Sequence, residues 1–116
     1  MQDFKNLKVW QKARDLALYS YKVTSDFPRE ELFGLRNTLR KTSVDIPAAI
    51  AEGCAQSNNS EFARLIRSSI VMGNRLEYFA LMARDLELIN EKTHDDISVQ
   101  IVEVRKMLSG FKQRLV

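Results

Sequence analysis

The chain has 116 residues, 45% of them apolar and 28% charged, with a formal net charge of +3. That is enough for one domain with its own core, too apolar for a disordered chain, and too evenly charged for a basic arm. The single cysteine excludes an internal disulfide, and no apolar run reaches the length of a membrane span.

Four glycines and two prolines leave few turns, which favours a small number of long elements. The opening Met1-Gln2-Asp3-Phe4-Lys5 has no apolar signal character, so a cytoplasmic protein is expected. The first helix is predicted over Leu7–Thr24. Val9, Ala13, Leu16, Ser20 and Val23 form one seam, and Trp10, Ala17 and Tyr21 a neighbouring one. Two seams suit a helix with two neighbours.

Phe27-Pro28 interrupts the chain. Pro28 fits a helix start, where its missing N–H is no loss, and Glu30 and Glu31 suit the positive end of the helix dipole. The second helix is predicted over Arg29–Cys54, with Leu32, Leu35, Leu39, Ile46, Ala49 and Gly53 on one face and Gly34 marking off a short opening turn. Pro47 lies inside it and removes one backbone hydrogen bond, so a kink is expected, with Thr42 and Ser43 placed to engage the loosened carbonyls. Gly53 is the expected C-cap. Glu52, among apolar neighbours, would need a partner if buried.

Gln56-Ser57-Asn58-Asn59-Ser60 reads as a loop that ends in capping residues. The third helix is predicted over Asn59–Leu88, with Phe62, Ile66, Ser69, Gly73, Leu76, Ala80 and Ala83 as its core seam. Four of those seven are small, so a neighbouring helix can come close. The fourth helix is predicted over Thr93–Leu115, capped by Thr93 with Asp96, its seam running Ile97, Ile101, Val104, Leu108, Phe111, Leu115. Four amphipathic helices with short joints predict an all-α, antiparallel up-down four-helix bundle in one domain spanning the chain.

Chemistry is harder to find. His94 is the only histidine. Glu91-x-x-His94 matches one element of a di-iron bundle, but such a site needs two of them and two further inward glutamates, and this one is expected to straddle a helix boundary. No nucleophile motif and no phosphate-cradling glycine loop is present. Cys54 reads as a small buried hydrophobe. No catalytic residue, metal, cofactor or small-molecule substrate is therefore expected, and the protein is expected not to be an enzyme.

Basic side chains form partial stripes. Arg36, Arg40 and Lys41 lie on the second helix, and Arg64, Arg67 and Arg75 on the third. Arginine can grip phosphates with two parallel bonds, so these six are the candidate contacts to RNA or DNA. Taking Phe62 as inward, Val71, Tyr78 and Met82 fall within about 20° of the opposite face at about 100° per residue. An apolar strip on the outward face is normally covered, so these three are the candidate interface of a homo-oligomer. A closed ring needs a head-to-tail contact, with the strip meeting a different surface on the next copy.

Several motifs together resemble one family. They are Phe4-Lys-Asn-Leu-Lys-Val-Trp10, Phe27-Pro28 with Gly34-Leu35, Ile46-Pro-Ala-Ala-Ile-Ala-Glu-Gly53, Ser60-Glu61-Phe62, and Gly73 to Glu77. They resemble the bacterial four-helix bundle proteins encoded in intervening sequences of large-subunit ribosomal RNA genes, whose fold is shared by accessory proteins of diversity-generating retroelements. Ala49, Gln56 and Asn74 depart from that pattern. The resemblance implies a homopentamer and a link to nucleic acid. The rival expectation is a protein-interaction scaffold with no nucleic-acid role.

Overall fold

The computed structural model describes residues 2–115. Four helices carry the fold: α1 (Lys8–Thr24), α2 (Leu35–Cys54), α3 (Asn59–Asp85) and α4 (Glu91–Arg114), with single 3-10 turns at Phe4–Asn6 and Arg29–Glu31. Contacts between elements follow the square α1–α2–α3–α4–α1. Side-chain pairs give the directions. Gly53 faces Phe62 while Ile46 faces Ser69, so α2 and α3 run antiparallel. Lys12 meets Glu103 as Tyr19 meets Asp96, and Phe62 meets Phe111 as Arg84 meets Glu91. Tyr21 and Thr24 at the end of α1 meet Arg40 near the start of α2, whereas Arg14 and Pro47 share a groove further along. Each neighbouring pair is therefore antiparallel, as the expected up-down bundle requires.

The core follows the predicted seams. Every member of the α3 seam is buried, as are Val9, Ala13, Leu16 and Ser20 of α1 and Ile97, Ile101, Val104 and Leu108 of α4. The particle is 44 Å long, close to the roughly 40 Å of a 27-residue α3 at about 1.5 Å per residue. No described helix is long and apolar enough to cross a membrane.

The helix ends depart from expectation for local reasons. α2 starts at Leu35 instead of Arg29, because the chain makes a 3-10 turn and then breaks at Gly34 (φ −105°, ψ −120°). Glu31 still serves the helix: its Oε1 accepts from the Leu35 amide at 3.0 Å. Leu32, placed on the core face by the longer helix, is exposed. α3 ends at Asp85 instead of Leu88. Glu87 takes a left-handed conformation (φ 61°), and the Leu88 and Glu87 amides return to the Ala83 and Arg84 carbonyls, closing a Schellman turn without glycine. α4 starts at Glu91, capped by Asn90 instead of Thr93: the Asn90 side chain accepts from the Thr93 amide at 2.8 Å.

Gly53 is not the C-cap. α2 continues to Cys54 and closes on Ala55 in right-handed geometry. The glycine is there because Phe62 lies over it; a Cβ at Gly53 would stand 2.6 Å from Phe62 Cδ1. α2 also runs unbroken through Pro47. The Ser43 hydroxyl reaches the Arg40 carbonyl at 2.9 Å, a turn before the proline, while Ser69 of α3 reaches the Ile46 carbonyl at 2.9 Å. The Ser69 bond thus ties α3 to α2 at the residue before the proline.

Two glycines predict opposite signs for one substitution. Gly53→Ala should destabilise by about 1–3 kcal/mol through overpacking against Phe62. Gly110→Ala, whose Cβ would meet only Arg114 Nη1 at 4.0 Å, should stabilise by about 0.5–1 kcal/mol through helix propensity. Urea unfolding of both variants checks the pair; equal shifts of one sign would refute it.

Candidate nucleic-acid interface

The six basic candidates do not form one patch. Arg40 is already used by the fold. Its Nε donates to Thr24 Oγ1 at 2.8 Å, an Nη donates to the Tyr21 carbonyl at 3.2 Å, and the guanidinium lies 4.5 Å from the Tyr21 ring. Thr24 Oγ1 in turn donates to the Ser20 carbonyl at 2.8 Å. Arg40 therefore caps the last turn of α1 from α2, the charge that the negative end of that helix favours. Arg36, one turn earlier on α2, is half-buried.

Lys41 and Arg75 do come together. They line a shallow groove of about 420 Å³ between α2 and α3, beside Thr38, Asp45 and Val71. Lys41 is tethered to Asp45 at 3.4 Å. Arg75 stacks 5.5 Å from the Phe79 ring, which holds its guanidinium in place. Arg64 and Arg67 lie two to three turns before Arg75 on the same helix. Arg64 pairs with Glu61 at 3.0 Å, an exposed contact of little net strength. Among the described residues, Arg36, Arg67 and Arg75 make no ion pair.

The apolar candidates share this surface. Val71 is 49% and Tyr78 56% exposed, and Met82 is half-buried. They interleave with Arg64, Arg67 and Arg75 on the outward face of α3, so the α3 half of the basic set and the apolar strip share one surface.

Two further apolar features extend beyond the predicted seams, and Tyr21, placed on the second α1 seam, is exposed. Leu18 (61% exposed), Tyr21 and Val44 line a groove of about 340 Å³ between α1 and α2, with Ala17 and Pro47 at its floor. Leu18 and Val44 lie off every seam, which is the signal that could have marked them. Phe33 stands 90% exposed before Gly34. The short opening turn expected before Gly34 is there, and it leaves Phe33 on a connection instead of on the helix.

The polar clusters have structural uses. Arg105 crosses from α4 to Glu77 and Asn74, both at 2.6 Å, its stem lying over Gly73. Glu91 and His94 fall on one turn of α4 and do not straddle a boundary, since α4 starts earlier than expected. With Asp95 they bring three potential ligand atoms within 4.8 Å, but both carboxylates are exposed at the bundle end, unlike the core-facing carboxylates of a di-iron bundle. Glu52 is exposed and needs no buried partner. Cys54 is buried, and burial pushes its thiol up from the ordinary range, with nearby Asp3 adding to the effect. A raised thiol is a poor nucleophile.

The family model of the 23S rRNA-intervening sequence protein matches residues 5–110. The chain belongs to this family. It is also similar to the crystal structure of a protein with unknown function from the S23 ribosomal protein family, from Bacteroides thetaiotaomicron. The TM-score is 0.80 at 19% identity, over 90% of this chain and 97% of that one. That likeness shows a shared four-helix fold. No curated protein matches the sequence.

The Arg40 cap predicts a stability effect. Arg40→Gln should cost about 1–2 kcal/mol in urea unfolding through lost charged hydrogen bonds. Arg40→Lys should restore less than half of it, because an ammonium lacks the planar fork that reaches both oxygens. Full rescue by lysine would reject the geometry.

Proposed function

We propose that the protein is a non-enzymatic, RNA-binding bundle that works as a homo-oligomer. The observation that carries the binding half is the convergence of Lys41 and Arg75 in one groove between α2 and α3. Arg67 adds an exposed guanidinium on the same outward helix face. Arg67 and Arg75 have no carboxylate partner among the described residues, so phosphate does not have to displace one. The family's association with 23S rRNA makes RNA the first polyanion to test. RNA helices are held mainly through backbone and shape, which scattered arginines on a rigid helix suit better than base-reading loops do.

The assembly half rests on Val71 and Tyr78, about half-exposed along two turns of α3. A head-to-tail contact requires a second, different apolar surface, and the groove of Leu18, Tyr21 and Val44 between α1 and α2 supplies one. The resemblance to pentameric relatives suggests five copies. A protein-interaction scaffold with no nucleic-acid role is the second reading, favoured by the same exposed strip.

Gel-shift titrations with a structured RNA and with duplex DNA test the binding half. Affinity should fall steeply with salt, and Arg67→Gln should lower the slope of log K against log salt by about one unit. Salt-insensitive binding, or none at low salt, would favour the scaffold. Light scattering tests the other half. The wild-type chain should exceed monomer mass at micromolar concentration, and Tyr78→Asp should return it to monomer with helical content intact. A wild-type monomer refutes assembly through this strip.

A further inference from the structure

We propose that the groove between the start of α1 and the end of α4 binds the phosphorylated terminal nucleotide of an RNA strand. The source of that nucleotide rests on the binding half of the function proposed above; the groove is a separate site. It measures about 400 Å³, toward the small end of the roughly 300–1,000 Å³ that ligand sites occupy. Lys8 enters it from α1, and Lys106 and Arg114 enter from α4. Its lining includes no acidic residue. Among the described residues, none of these three cations makes an ion pair. Val9, Met107 and Phe111 supply an apolar floor between the charges. The groove shares no lining residue with the α2/α3 groove, the α1/α2 groove or the α3 strip, so assembly through those surfaces does not use it.

Gly110 is the residue that the fold itself leaves unexplained. Glycine inside a helix costs stability relative to alanine, and each of the other three glycines has a use. Gly34 stands at the break before α2, Gly53 lies under Phe62, and Gly73 lies under the stem of Arg105. A Cβ at Gly110 would meet only Arg114 Nη1, at 4.0 Å. No group of the protein fills that space, whereas a flat ring laid across α4 requires it. Such a ring meets Phe111, against whose face the Arg114 guanidinium sits 5.6 Å from the centroid. Bases stack on aromatic rings and on guanidinium planes. Charge then selects the end of a strand. A carboxylate has two oxygens and one charge, and an internal phosphodiester also carries one charge. A terminal phosphomonoester carries about 1.5–2 charges and three strong acceptor oxygens, one for each of Lys8, Lys106 and Arg114.

Fluorescence anisotropy of the full chain with short oligoribonucleotides tests this. One strand carries a 5′-phosphate, one a 3′-phosphate and one neither, each labelled away from the end under test. A phosphate at one end should tighten binding about tenfold through its charged hydrogen bonds. Equal binding of all three strands overturns the terminal site and leaves the RNA reading standing; no binding of any strand at low salt overturns both. Gly110→Ala, expected above to be the more stable protein, should lose most of the phosphate's advantage while binding the unphosphorylated strand as before. Loss of binding in a stabilised variant is not a folding defect. Lys106→Gln should lose the advantage too, and its full retention in both variants overturns the proposal. Adenosine monophosphate bound as tightly as the phosphorylated strand would assign the groove to free nucleotide and overturn the strand end. Displacement of that strand by an equally charged glutamate peptide would assign it to acidic protein and overturn the nucleotide.

Discussion

The close approach of α2 to α3 is the contact on which the other placements depend. Phe62 can lie over α2 only because Gly53 has no Cβ to meet its ring. One helical stretch away, Ser69 donates to the Ile46 carbonyl at 2.9 Å, immediately before the proline that cannot donate in the ladder. A buried hydroxyl bonded to a neighbouring helix fixes both register and distance, since a slip would leave it unsatisfied. With that register set, Lys41 falls opposite Arg75, and the groove between them follows.

α3 has a different use for each side. Phe62, Ile66 and Leu76 look inward, Leu65 is buried on the α2 side, and Gly73 and Glu77 receive Arg105 from α4. What remains is the outward side, where arginines and apolar residues alternate. A helix already packed on three sides has little freedom to rotate that mixture away, so any partner must accept charge and apolar surface together. This explains why the basic and apolar residues could be read as separate surfaces in one dimension and become a single one in three.

Much of the architecture was legible because burial leaves a period in the sequence. The α3 and α4 seams from Phe62 to Ala83 and from Ile97 to Leu108 needed no correction. Helix ends were less legible, since they turn on single side chains. Asn90 and Thr93 are both good caps, and only the backbone shows which amide is served. Glu87 in a left-handed turn breaks the usual preference for glycine and left no trace in the pattern. Gly53 looked like a terminator because the glycine's reason lies across the interface, in Phe62. Of the candidate contacts, the residue types were readable but their commitments were not: nothing local to Arg40 indicates that it spans to Thr24 and Tyr21, sixteen and nineteen residues earlier.

That clamp has a topological consequence. Arg40 ties the end of α1 to α2 directly, and the buried seam of Val9, Ala13, Leu16 and Ser20 seats α1 on the core, so the peptide link between Thr24 and Leu35 is not all that holds it. The same link carries Phe33, almost fully exposed beside a break in the helix, which is the form of chain that a protease preferring aromatic residues enters most readily. A nick there would cut the joint while leaving the Arg40 contact and the buried seam of α1 in place.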